Sequence, residues 1–310
     1  MGERRRHLAF TIGFIFTTSC PLTAHQPTIM VTRRHFLKTS AFLAPGALVL
    51  PQLCFAGNAQ QIRNVGLQLY TLRTEMLADA VGTLKKIARI GYKQLESARS
   101  AKGNYYGLQP KEINKITTDL GMTLRSGHVH VDKDWQRSVD AAAEAGQEYL
   151  ICSSMPSTGQ TIENYQRVAD VFNAAARDCK KAGLTFGYHN HEYEFEKVNG
   201  QVLYDVLLDK TDPELVKMEL DLGWVIVTGF EPVAYFNKYP GRFPLWHLKD
   251  MDKVKKQSTE FGKGSIDIAG MFKNSKQSGM KYFFVEQEEY TNNALESTKY
   301  DFDYLAKLKA

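Results

Sequence analysis

The feature that most limits how this chain can fold is a phrase that recurs past Gln60: a helical stretch, a glycine, then a short apolar strand. "KKIARIGYKQLES", "KITTDLGMTLRSGH", "AAAEAGQEYLICSS", "RDCKKAGLTFGYHN" and "NSKQSGMKYFFVEQ" all have this form. Their glycines, Gly91, Gly121, Gly146, Gly183 and Gly279, stand where a helix ends in a left-handed residue. The strands stay apolar until their last residues, as in a parallel sheet covered by helices. Eight strands are expected: 65–71, 92–97, 123–130, 148–154, 184–189, 216–221, 243–250 and 282–287. Eight strand–helix units in roughly 250 residues match a (β/α)8 TIM barrel, α/β in class and a single domain. A doubly wound sheet would carry a glycine-rich turn after the first strand, and "LQLYTLRTE" has none.

Residues 1–59 stand apart from residues 60–310. "TRRHFLKTSAFLAPGALVLPQLCFAGNA" has paired Arg33 and Arg34, then Phe36-Leu37-Lys38, an apolar run and small residues. It resembles a twin-arginine export signal, which implies a periplasmic protein with no stable membrane insertion after processing. Met30, just before the arginine pair, is the expected start, with an upstream extension before it. The segment holds six basic residues, Arg4, Arg5, Arg6, Arg33, Arg34 and Lys38, against Glu3 alone. That is the whole +5 excess of the chain, so residues 60–310 are formally neutral and lack the basic footprint of a nucleic-acid binder. Of four cysteines only Cys152 and Cys179 lie in the barrel, too few for a disulfide framework.

In a TIM barrel the chemistry sits where strands end. The strand ends read Gln68, Glu96, His128 with His130, Ser153, His189 with His191, Glu219 with Asp221, His247 with Lys249, and Glu286 with Glu288. In "YHNHEYEF" the alternation of a strand would send His189 and His191 one way and Asn190 and Glu192 the other. Asp221, His247 and Glu286 offer mixed imidazole and carboxylate ligands from different strands, suited to Mn²⁺, Zn²⁺, Co²⁺ or Fe²⁺. A structural zinc site is not expected without a thiolate. Glu219 is expected to pair with a lysine, Glu288 and Glu289 to be solvated, and "FGKGSID" to form a turn before a helix.

"GYHNHEYEF", "ELDLGW", "HLKD" and "GKGSID", in this order, resemble the sugar phosphate isomerase/epimerase family of xylose-isomerase-like barrels. The likeness spans residues 62–308. It implies one divalent metal held by Glu, Asp, His and Glu from strands five to eight, and Asp221, His247 and Glu286 match the last three. Many relatives have Glu-Asn-His on strand five, where this chain has His189-Asn190-His191. Either His189 is the fourth ligand, making the site one charge less negative, or Glu192 supplies a carboxylate.

The expected activity is that of a metal-dependent isomerase, epimerase or lyase. It would abstract a proton beside a carbonyl through a metal-stabilised enediolate. Glu192 and Glu286 are the first candidates for moving the proton, with His191 and His128 next; Lys249 would steady an alkoxide. Glu96, His128 and Trp224 are expected to contact the sugar. Few arginines are placed to clamp a phosphate, which points to an unphosphorylated sugar, keto-sugar or glycoside. The competing classes are an endonuclease IV-like phosphodiesterase and a metal-free, non-catalytic sugar-binding barrel.

Overall fold

The helical segments cover a sheet closed on itself because each has one apolar stripe. In the helix Ile162–Lys181, Thr161 accepts a hydrogen bond from the Asn164 N–H and caps the first turn. Tyr165, Val168, Ala169, Phe172, Ala175, Ala176 and Cys179 form its buried face at helical spacing. Phe172 meets strand five directly, with ring centroids 5.4 Å from Phe186 and 4.8 Å from Tyr188. The helix stops before Gly183, whose φ is +79°, and the other four glycines of the repeated phrase also have positive φ. At Gly279 a Cβ would lie 2.8 Å from the Gly241 backbone, so no larger residue fits.

The structure, a computed structural model, describes residues 62–309. The export segment expected over residues 1–59 lies outside the described residues. Eight parallel strands close the expected barrel: β1 (Gly66–Gln68), β2 (Gln94–Ser97), β3 (Thr123–Val129), β4 (Tyr149–Cys152), β5 (Thr185–His189), β6 (Val216–Asp221), β7 (Leu245–Leu248) and β8 (Tyr282–Val285). Each pairs with the next, and β8 closes on β1. No described helix is long and apolar enough to cross a membrane. Cys152 and Cys179 are buried and free.

Most strands are shorter than expected, for local reasons. β1 ends at Gln68 because its side chain accepts from the Tyr70 N–H and starts a tight turn over Leu69–Leu72. β7 begins after Pro244, which has no N–H to give. Its expected last residue, Asp250, belongs to a separate hairpin with Gln257–Thr259.

The barrel interior has two levels. Tyr149, Ile151, Leu245 and Phe284 form an apolar cluster. Leu245 and Phe284 lie two residues before His247 and Glu286, so the same strand faces carry apolar residues below and ionisable ones at the mouth.

Beside the mouth, the "FGKGSID" segment is pinned by carboxylates, as a turn before the helix Ile268–Lys273. Asp250 accepts from the backbone N–H groups of Gly262, Gly264 and Ile266. Glu260 accepts from Thr291 and Ser297, and Asp301 from the Phe261 N–H. Burial pushes the Asp301 carboxyl up to about 8. A raised carboxyl makes the native protein bind more protons than the unfolded one between about 4 and 8. Its contribution is therefore full below about pH 4 and lost as pH rises to 8, at up to about 1.4 kcal/mol per unit. Asp301→Asn keeps an acceptor for Phe261 and removes this titration. Denaturant unfolding from pH 4 to pH 8 should give a flatter profile for the variant, which gains on the wild type as pH rises; parallel profiles would refute the assignment.

Candidate metal centre

The strand register brings the mouth residues together. His189 is paired with Glu219 across β5–β6, and Asp221 with His247 across β6–β7. Single ligand atoms of His189, Asp221, His247 and Glu286 all lie within 4.8 Å of one another, and the four residues are buried. The Asp221 carboxylate also caps the next helix by accepting from the Trp224 N–H at 2.9 Å, and the Asp221 N–H donates to Asn190 Oδ1 at 3.0 Å. These bonds fix the Asp221 backbone and leave its Oδ2 without a hydrogen-bond partner.

The donor set fits a divalent transition ion. Two borderline imidazoles and two hard carboxylates are a mixed donor set in the number such ions take. His189 Nδ1 and Asp221 Oδ2 are buried polar atoms without hydrogen bonds, although Lys249 Nζ stands 3.1 Å from the latter. Burial, then the neighbouring His247 and His128 rings, pushes the His189 pKa well down, which keeps the ring neutral, with one nitrogen unprotonated, at neutral pH.

Lys249, almost wholly buried, places its ammonium 2.7 Å from Glu286 and 2.8 Å from Glu288. Burial opposes ionisation of Glu286, but Lys249 and His247 outweigh it and hold this carboxyl well below the usual range. Glu288 is thus neither free nor fully solvated, and Glu289 accepts from the Ser258 N–H and hydroxyl.

Beneath the four candidate ligands lies a second polar layer. His247 stands between it and the upper layer, with Nδ1 2.9 Å from Glu286 and Nε2 2.6 Å from Glu96. Glu96 takes Gln68 Nε2 on the same oxygen at 2.8 Å, and the Ser126 hydroxyl at 2.5 Å on the other. Its carboxylate is fully buried and does not line the cavity above the ligands, which places Glu96 to orient His247 and away from the sugar contact expected of it. Glu219 pairs with histidines and not with a lysine: its Oε2 is 2.6 Å from His128, 3.2 Å from His247 and 3.4 Å from His189. The His128–Glu219 bond joins a neutral imidazole, which burial lowers to about 4, to a carboxyl that burial raises to about 7.

Above the ligands opens a cavity of 480 Å³, lined by Tyr70, His128, Ser153, His189, His191, Trp224, Glu286 and Glu288, and by the segment Ala98–Ala101 with His130. His191 reaches it by a route other than strand alternation. β5 ends at His189, and the His191 N–H donates to Glu194, turning the chain while the ring stacks on Tyr193 at 5.4 Å. Glu192 is exposed and belongs to neither the ligand set nor the cavity wall. The buried carboxylate of this segment is Glu194, which is bonded to the Tyr188 hydroxyl and serves the turn.

Residues 84–308 match the xylose isomerase-like TIM barrel family, and the chain belongs to that family. A sugar phosphate isomerase/epimerase from Parabacteroides distasonis superposes with a TM-score of 0.71 at 30% identity, covering 79% of this chain and 98% of that one. Inosose dehydratase of Clostridium beijerinckii is 29% identical over 145 residues, 41% of this chain and 48% of the enzyme. The Geobacillus kaustophilus inosose dehydratase is 24% identical over 232 residues, 61% of this chain and 73% of the enzyme. The chain thus spans about half the length of the first curated relatives it matches.

If His247 is a ligand oriented by Glu96, both should matter to metal retention, in different degrees. Elemental analysis should find about one transition ion per chain in the wild type and almost none in His247→Ala. Glu96→Gln should fold normally yet hold the ion about 10–100-fold more weakly in a chelator competition. Wild-type affinity in Glu96→Gln would remove the orienting role.

Proposed function

We propose that this chain is a carbohydrate-acting enzyme that uses one divalent ion, held by His189, Asp221, His247 and Glu286, to remove a proton beside the carbonyl of an unphosphorylated keto-sugar. The observation that carries this is the convergence of two imidazoles and two carboxylates, all buried, of which His189 and Glu286 line a cavity large enough for a sugar ring. The similarity to proteins named inosose dehydratase and sugar phosphate isomerase/epimerase supports a sugar as substrate.

An ion held there would act as a Lewis acid for the negative charge that gathers on the carbonyl oxygen. The side chains around it supply the rest. Lys249 is fixed by Asp221, Glu286 and Glu288, and provides a buried positive charge behind Glu286 and Glu288, which line the cavity. Trp224, whose ring lies 5.1 Å from the Lys249 ammonium, gives an apolar face against which a sugar ring can lie. His191 is the foremost proton acceptor, because it lines the cavity and its buried Nδ1 makes no hydrogen bond. Glu286 is committed to His247 and Lys249, which leaves it better suited to ligation than to proton transfer. The proton taken from carbon returns to the same or the neighbouring carbon in an epimerase or isomerase. In a lyase the adjacent substituent departs with a proton, as water or an alcohol.

Among the described residues lining the cavity, Arg99 is the one arginine or lysine, and it stands with Glu286 and Glu288. A phosphate there would meet two carboxylates and one guanidinium. Arg125 is taken by Glu148 and the Tyr282 ring, and Arg73 by Tyr290 and the Glu288 carbonyl. This favours a neutral sugar, in keeping with the proposed twin-arginine export to the periplasm, where sugar phosphates are scarce.

The test is solvent deuterium uptake by a panel of keto-sugars with the metal-loaded protein. Label should enter the carbon beside the carbonyl, or accompany elimination. His191→Asn should slow exchange by about 10²-fold or more with its metal content unchanged. A metal-loaded protein that exchanges no keto-sugar proton would end the proposal.

A further inference from the structure

A second cavity, of 510 Å³, adjoins the one above the candidate ligands, and Arg99, Ser100 and His130 line both. The Arg99 guanidinium stands at the boundary, 2.5 Å from His130 Nδ1 and 3.5 Å from Asp132. The outer cavity is built by the segments that follow β2 and β3 and by the helix Trp135–Glu144. No candidate metal ligand or proton acceptor lines it.

Its chemistry differs from that of the inner cavity. Asp132, Asp134, Asp140 and Glu144 line it against Arg99 and Arg137, so an anionic group would be repelled. Asn104, Gln109, Ser100 and Ser138 add hydrogen-bonding groups of both senses, which suit hydroxyls. The Asn104 amide donates to the Ser138 hydroxyl across this wall at 3.4 Å. A single ring held over the candidate metal ligands leaves the outer cavity, which is of similar volume, without substrate.

We propose that the substrate has two linked units: a keto-sugar ring above the candidate metal ligands and a neutral second sugar ring in the outer cavity, joined past Arg99. This rests on the keto-sugar reading of the inner cavity and adds the substrate class, a keto-disaccharide or larger glycoside. Arg99 sits where the link must pass and is a specificity-determining residue.

The experiment compares deuterium exchange on keto-disaccharides with that on the matching keto-monosaccharides, using the metal-loaded full chain. In the wild type kcat/KM should favour a disaccharide by about tenfold or more. Ser138→Trp, which fills the outer cavity, should abolish that preference and leave the monosaccharide rate unchanged. Arg137→Ala, at a side chain 83% exposed, should reduce it without risk to folding. Equal kcat/KM for one and two rings, or variants that slow both alike, would overturn the proposal.

Calorimetric binding of glucose, maltose, cellobiose and trehalose separates this from the reaction itself. If no keto-sugar exchanges, the reaction reading fails, yet tighter disaccharide binding lost in Ser138→Trp would still uphold the two-ring site. Equal binding of glucose and the disaccharides, or no binding of either, would overturn it.

Discussion

The mouth of this barrel is organised by buried negative charge. Glu96, Glu219, Asp221 and Glu286 are each at most 5% exposed. An unpaired carboxylate in such a place costs several kcal/mol, so each needs a partner of opposite charge or a set of donors. Glu96 is satisfied by Gln68, Ser126 and His247, and Glu286 by His247 and Lys249. Burial opposes a charge on His247, but Glu219 and Glu286 overcome it and hold its pKa well above the usual value. One ammonium serves Asp221, Glu286 and Glu288 together. An arrangement that answers so many carboxylates with so few cations is suited to a divalent ion, which is why the ligand geometry and the charge pattern point the same way.

The fold was legible because it rests on two short-range signals repeated many times. Left-handed glycines ended the helices, and apolar runs of strand length followed them. The barrel needs no knowledge of distant contacts to be recognised from that rhythm. The strand ends were harder to place, since they depend on individual side chains. The Gln68 side chain stops β1 by binding the backbone two residues on. Asp250 reads as the tip of strand seven, yet it faces the loop at 262–266 and belongs to a hairpin.

The candidate site was legible to the depth of its first layer. Strand alternation puts Glu219 with Asp221 and His247 with Lys249 on one face, and the register then does the rest. The partners of Glu96 were invisible, because Gln68, Ser126 and His247 lie 28 to 151 residues away in sequence. Glu192 and Glu194 look alike in "YHNHEYEF". Only the turn that brings Glu194 back onto Tyr188 and the His191 N–H shows which of them is buried. The outer cavity has no sequence signal, being made by segments from two different strand–helix units.

The imidazole at position 189 suits the layer below it. A glutamate at 189 would be the register partner of Glu219 and add a charge to a region that already buries four carboxylates. An imidazole there offers a metal-binding nitrogen without that charge. His189 also lies within reach of both groups of converging donors, one with Asp221, His247 and Glu286, the other with His128, Glu219 and His247. Its ring stands 4.4 Å from that of His247 and 4.9 Å from that of His128. The inward Glu219 and an uncharged imidazole at 189 therefore fit together: position 189 offers a donor nitrogen without adding to the carboxylates already buried beside it.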